Sequence, residues 1–466
     1  MPYGDERTPR SLASGPPGVV AGAGVCGRSG WGDARPHPAT RGTGNSKAST
    51  QWKKEAGRAP VAQTSTLRGL QRAAIVRAGR RSLAESHEVV IVGAGVIGCS
   101  VAFHLARLKT RDVCVVEKER LPGSGSTSKA NGGIRAQFAT EVNLRMSLLS
   151  MAILDDLAAE IGDPPLYRKA GYLFLTADPA RLRAMAAAAE FQRTRGVSVE
   201  VLDAGEVRAR APYVHGPIVG GTFGPRDGFI DPGGLTSFFV REAARAGVRF
   251  RYGAEVTALA RDSAGDLRVS TTAGSYIAPV VVNAAGPYAR RVASMLGVDL
   301  PVEPVRRHLI VSGPCPSLPP LIPMTVDADS GVLIRREGDR ALIAYSNPDE
   351  PAGFNTEFDP DFPERLAEPL ESRFPAVAAG GVDLRRSWAG LYEVTPDHHA
   401  VLGPVPGQPG FYLANGFSGH GVMHAPAAGR VIAELIVHGR SESVDIAPLA
   451  IGRFARGDLI HETMAL

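Results

Sequence analysis

Apolar and polar positions along this chain switch repeatedly between two periods. The β-branched run Val89-Val90-Ile91-Val92 leads without a break into Gly93-Ala94-Gly95-Val96-Ile97-Gly98. Apolar residues then recur at helical spacing from 96 to 109, and a second apolar run, Val113-Cys114-Val115-Val116, ends in Glu117. Short uninterrupted apolar runs read as strands buried on both faces, and the 3.6-residue repeat between them reads as a crossover helix. The same signals predict helices over 141–161, 179–195 and 235–246, with short strands at 171–175 and 248–250. Asp227-Gly228 and Asp231-Pro232-Gly233-Gly234 read as turns. Residues 255–281 alternate as a meander of strands, and Val280-Val281-Val282 is another buried run, closed by Asn283-Ala284-Ala285-Gly286. Positions 303–347 alternate with period two, which predicts an antiparallel sheet. A last strand, Phe411-Tyr412-Leu413-Ala414, runs into Asn415-Gly416-Phe417-Ser418-Gly419-His420-Gly421 and a helix to 437.

Strand, G-x-G-x-x-G turn, helix, strand and terminal acid form a dinucleotide-binding fingerprint. Gly93 permits the tight turn, Gly95 lets a pyrophosphate approach the backbone, and Gly98 lets the helix pack closely on the strand. The helix N-terminus offers free N–H groups and the positive end of its dipole to the phosphates. Glu117 can accept hydrogen bonds from a ribose diol, which favours FAD or NAD over NADP. Three glycine-rich strand ends, at 93–98, 283–286 and 415–421, point to one cofactor touched by distant segments, because ligands of α/β sheets lie beyond the carboxyl ends of strands.

Charge is spread unevenly. Residues 1–85 carry 14 Lys+Arg against 5 Asp+Glu, so the formal net charge of +5 leaves the remaining chain at −4. A mildly acidic folded part argues against nucleic-acid binding. The first 85 residues are rich in Gly, Ala, Ser, Pro and Arg and lack sustained periodicity, so they cannot bury enough apolar surface to offset their ordering entropy. They read as a disordered basic tail, an organellar targeting segment or an over-extended start; residues 67–83 could form a short basic amphipathic helix. No run is apolar over the ~20 residues that span a bilayer. Cys26, Cys99, Cys114 and Cys315 show neither C-x-x-C nor metal-ligand spacing, a usage typical of a reducing compartment. The expected location is cytoplasmic, or mitochondrial if the basic segment is a transit peptide.

Five collinear motifs then carry a resemblance: the fingerprint with Glu117, Gly125-Ser126-Thr127-Ser128, Asn283-Ala284-Ala285-Gly286-Pro287-Tyr288, Tyr392-Glu393-Val394-Thr395-Pro396-Asp397, and Gly416-Phe417-Ser418-Gly419-His420-Gly421. Over residues 87 to about 457 the chain resembles the FAD-dependent D-amino-acid oxidase family, in the branch of sarcosine oxidase and dimethylglycine dehydrogenase. The resemblance implies an α/β fold with a Rossmann-type FAD-binding domain (86–165, 222–295 and 393–457) and a second, mainly antiparallel β-sheet substrate domain (166–221 and 296–392). It places FAD against Gly93, Gly95, Val96, Ile97, Gly98, Glu117, Lys118, Ser126, Thr127, Ser128, Val256, Ala285, Gly286, Gly416, Ser418, Gly419, His420 and Gly421. It implies oxidation of a secondary or N-methylated amine or amino acid to an imine, by hydride transfer to flavin. Oxygen or an electron-transfer partner would be the acceptor. A flavoprotein subunit of a multi-chain dehydrogenase and a non-catalytic assembly flavoprotein are the alternatives.

Arg135 matches an arginine that grips the substrate carboxylate in sarcosine oxidase-like enzymes, a task suited to a planar bidentate donor; otherwise it is a surface arginine. Tyr392 matches an active-site tyrosine or packs in the core. His308, with Arg306 and Arg307, either reaches the flavin or lies on a solvated face. The resemblance fails at three positions. The family's cysteine anchor for flavin is Gly390 here, the histidine anchor of dimethylglycine dehydrogenases is Lys129, and the second carboxylate-binding cation is Met423. The first two imply non-covalent FAD, and the third, a missing cationic clamp, implies an amine larger or less anionic than sarcosine.

Overall fold

The computed structural model describes residues 84–110, 112–161 and 167–463. The expectations for residues 1–83, including the basic helix at 67–83, lie outside the described residues. The three apolar runs form the centre of one sheet. Its strands are β1 (Val89–Val92), β2 (Val113–Glu117), β3 (Arg249–Tyr252), β4 (Val280–Asn283), β5 (Val401–Pro404) and β6 (Phe411–Asn415). Their order is β3-β2-β1-β4-β6-β5, parallel except for the β5–β6 pair. The centre of this sheet is covered on both faces, which is why β1 reads as a continuous apolar run rather than an alternation. Val89 and Ile91 pack towards a layer of helices, α1 (Val96–Arg107), α2 (Glu141–Ile161), α3 (Pro232–Arg245) and α4 (Gly421–His438). Val90 and Val92 pack towards the antiparallel meander Val256–Arg261, Leu267–Thr271 and Gly274–Ala278.

The second sheet has eight strands, ordered Trp388–Val394, Glu303–Pro314, Arg340–Tyr345, Leu333–Glu337, Met324–Asp327, Tyr172–Thr176, Gly220–Gly224 and Glu200–Asp203. All neighbours are antiparallel except Met324–Asp327 with Tyr172–Thr176. Leu173, Leu175, Ile310 and Ile343 face a core with Phe362 and Phe374. Tyr172, Phe174 and Met324 face the other way. The fold is therefore of the expected α/β class with a second, mainly antiparallel sheet. Two local expectations change. Asp231-Pro232-Gly233-Gly234 starts a helix instead of a turn: Asp231 accepts the Gly233 N–H at 3.0 Å and Pro232 occupies the first helical position, which has no need of a donor. Strand Gly220–Gly224 crosses the expected boundary at 221/222 and pairs wholly within the second sheet. Among the described residues no helix is long and apolar enough to cross a membrane.

The C-terminal end is fixed by a buried bidentate ion pair. Arg453 Nε lies 2.7 Å from Asp397 Oδ2 and Nη2 lies 2.9 Å from Oδ1, while Nη2 also donates to the His399 carbonyl at 2.9 Å. Both side chains are 1% exposed. Removing one partner of such a pair leaves the other charge buried and uncompensated, at a cost of about 3–5 kcal/mol. Urea unfolding should therefore show Arg453→Met destabilised by about that much. Arg456→Met, which breaks an exposed pair with Asp458, should lose about 1 kcal/mol or less. Equal effects would show that the buried pair does not tether this end.

Candidate active site

β1 and β4 are adjacent and parallel, and their carboxyl ends open a crevice at the point where connections depart in different directions. The floor of that crevice has no space for a side chain. Gly93 has φ +104°, and a Cβ on it would sit 2.4 Å from the Ala284 carbonyl oxygen. A Cβ on Gly98 would sit 2.0 Å from the Gly93 carbonyl oxygen, so Gly98 sets the contact of α1 with the turn. A Cβ on Gly95 would meet only Thr127 Oγ1, at 3.4 Å. The protein itself would accept a side chain there, so what Gly95 keeps open is the ligand's approach. Thr127 Oγ1 accepts the Val96 N–H at 3.0 Å and so holds the Gly/Ser loop across the N-terminus of α1. Glu117 accepts the Ala94 N–H at 2.7 Å and the Glu119 N–H at 2.9 Å, which fixes its carboxylate at the end of β2.

From this crevice a cavity of ≈ 620 Å³ runs between the two sheets. It is lined by Gly93, Gly95, Val96, Ile97, Glu117, Lys118, Ser126, Thr127, Val256, Ala285 and Gly286, and also by Ser418, Gly419, His420, Gly421, Arg135, Tyr392 and His308. Three expected cofactor residues lie behind the lining. Gly98 packs α1 on its turn. Ser128 donates to the Ser124 and Gly125 carbonyls. Gly416, at φ +72°, lies against Thr395, where a Cβ would sit 2.4 Å from Cγ2.

The loop before α4 reaches the cavity because α4 packs hard on α1: a Cβ on Gly429 would sit 2.1 Å from Ser100 Oγ. Gly419, at φ +98°, lies on the Tyr392 ring, with a Cβ position only 2.5 Å from Cε2. Gly421, Val422 and Met423 of the first helical turn line the cavity, so the positive end of the α4 dipole faces it. His420 meets Phe138 edge-on at 5.2 Å between ring centroids, and the Arg135 guanidinium lies 3.9 Å from the same ring. Burial, reinforced by the charge of Arg135, holds the His420 imidazole well below its usual range, so it is neutral.

Arg135 is 1% exposed. Its Nη1 donates to the Gln137 carbonyl, and it also hydrogen-bonds Tyr172. Asp227 supports the segment from behind by accepting the Ala136 N–H at 3.0 Å and the Gln137 amide at 2.9 Å. Tyr172, which lines the cavity, carries no motif and reads in the sequence only as part of a buried strand. His308 touches the lining, but its ring stacks on Phe362 at 4.0 Å and its Nε2 accepts the Asp359 N–H at 3.2 Å. Arg306 also turns outward, pairing with Glu350 at 2.7 Å. Arg307, between them, lines the cavity, as strand alternation requires. Lys129 and Gly390 both line the cavity and touch: a Cβ on Gly390 would sit 2.5 Å from Lys129 Cβ.

A glycine-floored crevice, a fixed acid at the second strand and a cavity that takes in the first turn of a helix together define a flavin-dependent oxidoreductase of Rossmann type. A model of the FAD dependent oxidoreductase (DAO) family matches residues 88–435, and the chain belongs to that family. The FAD-dependent oxidoreductase domain-containing protein 1 of Bos taurus is 32% identical over 429 residues, covering 81% of this chain and 87% of the relative. The mitochondrial dimethylglycine dehydrogenase of Mus musculus is 29% identical over 393 residues, covering 79% of this chain and 44% of that longer protein. The structure of L-proline dehydrogenase from P. horikoshii superposes with a TM-score of 0.75 at 28% identity, covering 81% of this chain and all of that one.

Glu393 also lines the cavity. It accepts the backbone N–H groups of Gly416 and Phe417, its Oε2 has no partner, and burial pushes its carboxyl up to about 7. Between the unfolded carboxylate range near ~4.3 and pH 7 the folded chain holds a proton there that the unfolded chain has lost, so stability falls as pH rises through this window. Urea midpoints of flavin-free protein across pH 5–8 should show a smaller decline for Glu393→Gln than for wild type. An unchanged slope would mean that Glu393 titrates normally in the fold.

Proposed function

We propose that this chain oxidises a secondary or N-methylated amine or amino acid, with FAD held non-covalently. The observation that carries this reading is Arg135, a guanidinium buried in the cavity wall beside Tyr172 and across a phenyl ring from the 416–421 loop. A planar donor held in that way suits a carboxylate better than water. Bound in the cavity, FAD supplies the hydride acceptor. The residues present fit it: Gly95 keeps the backbone approach open, Glu117 and Lys118 stand at the ribose end, and Val256 and the Ala285-Gly286 turn border the path between the sheets. The first turn of α4 would offer N–H groups to negative charge on a flavin bound there. Arg135 and Tyr172 would orient the substrate through its carboxylate, and Tyr392 would close the side facing Gly419. The neutral amine loses a hydride from the carbon beside nitrogen. The iminium ion left behind is hydrolysed by water to a carbonyl compound and an amine, with release of a proton. Oxygen or an electron-transfer partner would reoxidise the flavin. Lys129 against Gly390 supports the non-covalent reading, because neither side chain is one of the family's anchors. The mitochondrial dimethylglycine dehydrogenase relative supports the targeting reading of the basic segment 1–85.

FAD should be released into the supernatant when the purified protein is precipitated with acid, and Gly95→Val should purify without flavin. The thermal midpoint of Gly95→Val should lie close to that of wild-type protein stripped of FAD, lower by about the 1 kcal/mol that a poorer N-cap residue costs, since a Cβ there meets only Thr127 Oγ1 at 3.4 Å. Full flavin content in the variant, or flavin retained on the acid pellet, would contradict the assignment.

Arg135→Lys and Arg135→Met should retain FAD but slow anaerobic flavin bleaching by N-methylated amino acids. Losing one partner of a buried charged pair costs ~2–5 kcal/mol, so Arg135→Met should lose at least tenfold. Arg135→Lys, a point charge without the fork, should recover only part. The amide of the same substrate should be a poor substrate for wild type and insensitive to the change; equal losses on acid and amide would remove Arg135 from the clamp.

A further inference from the structure

Two carboxyl groups of the cavity wall have different surroundings. Glu117 takes two backbone N–H groups at the end of β2. Glu393 stands between the two other glycine turns. Its carboxyl accepts the Gly416 and Phe417 N–H groups, and its main-chain carbonyl accepts the Ser418 N–H at 3.1 Å. Three successive amides of the 416–421 loop thus end on one residue, across a stretch in which Gly416 has φ +72° and Ser418 φ +49°. Oε2 lies 3.9 Å from the point where Gly286 would carry a Cβ, and it is buried with no hydrogen-bond partner.

Among the described residues no cation lies within ion-pair distance of this carboxyl. On the neighbouring strand, where Pro304 stands opposite Glu393, Glu303 pairs with Arg290 and Arg306 with Glu350. Arg291, in the helix after the Gly286 turn, lies over Phe354, and Lys118 lies over the Tyr288 ring and pairs with Glu119. Lys129 and Arg307 meet the strand of Glu393 at Gly390 and Tyr392, whose side chains alternate away from that of Glu393. Asp397 is paired with Arg453, and His420 in the loop is neutral. Burial therefore raises the Glu393 carboxyl against the pull of its two N–H groups, and no charged group takes part.

FAD brings two ionised phosphates into the same cavity. An ionised carboxylate buried there without a cation would add like charge in a poorly solvated place, and like charges drive a carboxyl towards its neutral form. A neutral carboxyl needs no counter-charge.

We propose that Glu393 is a proton-dependent positioning residue for the cofactor: FAD binds to the form in which its carboxyl is neutral, and loss of that proton weakens the hold on FAD. In alkaline solution binding then takes up one proton from water onto the Glu393 carboxylate, and release returns it. The inference concerns cofactor retention and is independent of which amine is oxidised. It rests on the non-covalent reading of FAD, which acid release tests separately.

Full-length FAD-loaded protein is diluted into buffers from about pH 6 to about pH 8.5, a range in which Glu393 changes charge and FAD keeps its own, and free FAD is read by fluorescence. The wild-type dissociation constant should be nearly flat below about pH 7 and rise by up to about tenfold per pH unit above it. Glu393→Gln, neutral at every pH, should hold FAD with a flat profile near the low-pH wild-type level. Asp227 is the other carboxyl that burial raises to about 7, and it stays in place in this variant, so a loss caused by Asp227 would persist. Should Glu393→Gln fail to fold, calorimetric titration of flavin-free wild type in two buffers of different ionisation enthalpy takes its place. It should show uptake of about one proton per FAD at pH 8 and about none at pH 5.5. Absence of that uptake at pH 8, a flat wild-type profile, or binding that tightens as pH rises would overturn the inference. So would an equal alkaline loss in wild type and Glu393→Gln. Flavin retained on the acid pellet would fail the non-covalent reading and the inference with it; flavin released by acid yet held equally at every pH would fail the inference alone.

Discussion

The site depends on a place where two strand ends come so close that no side chain fits between them. Gly93 and Ala284 meet backbone to backbone at the carboxyl ends of β1 and β4, and Gly98 presses the first helix on the same turn. That contact fixes the direction of α1, hence its free N–H groups, and the position of Thr127, which ties the Gly/Ser loop to the helix start. The loop in turn leads to Arg135. α4, packed on α1 through Gly429, brings the distant 416–421 loop to the other side. Segments more than 300 residues apart are thus aligned by close packing at glycines, with hydroxyls such as Thr127, Ser147 and Ser150 holding the contacts.

The cofactor half of this arrangement is legible in the sequence because its requirements fall on residue types with few substitutes. A turn at φ +104° against a carbonyl calls for glycine, and a strand covered on both faces calls for an unbroken apolar run. The helix and strand order follows from the same periodicities, and the departures at Asp231 and Gly220 arise where one short motif serves two purposes. Asp-Pro-Gly-Gly can end a turn or cap a helix, and only the apolar face that follows decides.

The substrate half is less legible. Arg135 is identifiable only through the resemblance, and Tyr172 sits in Tyr-Leu-Phe-Leu-Thr, where every residue is buried and local pattern cannot tell a core face from a cavity face. Arg306, Arg307 and His308 show the reverse difficulty: the chemistry is evident, and the face is not. Alternation separates Arg307 from its neighbours only after the sheet is placed. Likewise the run from Tyr392 to Asp397 reads as one motif yet does two jobs. Tyr392 and Glu393 border the cavity, while Thr395 and Asp397 hold the C-terminal end through His399 and Arg453.

The contact between Lys129 and Gly390 also constrains how this backbone could change. The two positions that the resemblance marks as covalent flavin anchors compete here for one volume. A side chain at 390 requires that residue 129 surrender the space of its own Cβ, since those atoms would stand 2.5 Å apart. Every residue at 129 other than glycine carries that Cβ, so the conflict is the same for lysine and for histidine. A side chain at 390 therefore needs the Ser126–Lys129 turn to move away from strand Trp388–Val394.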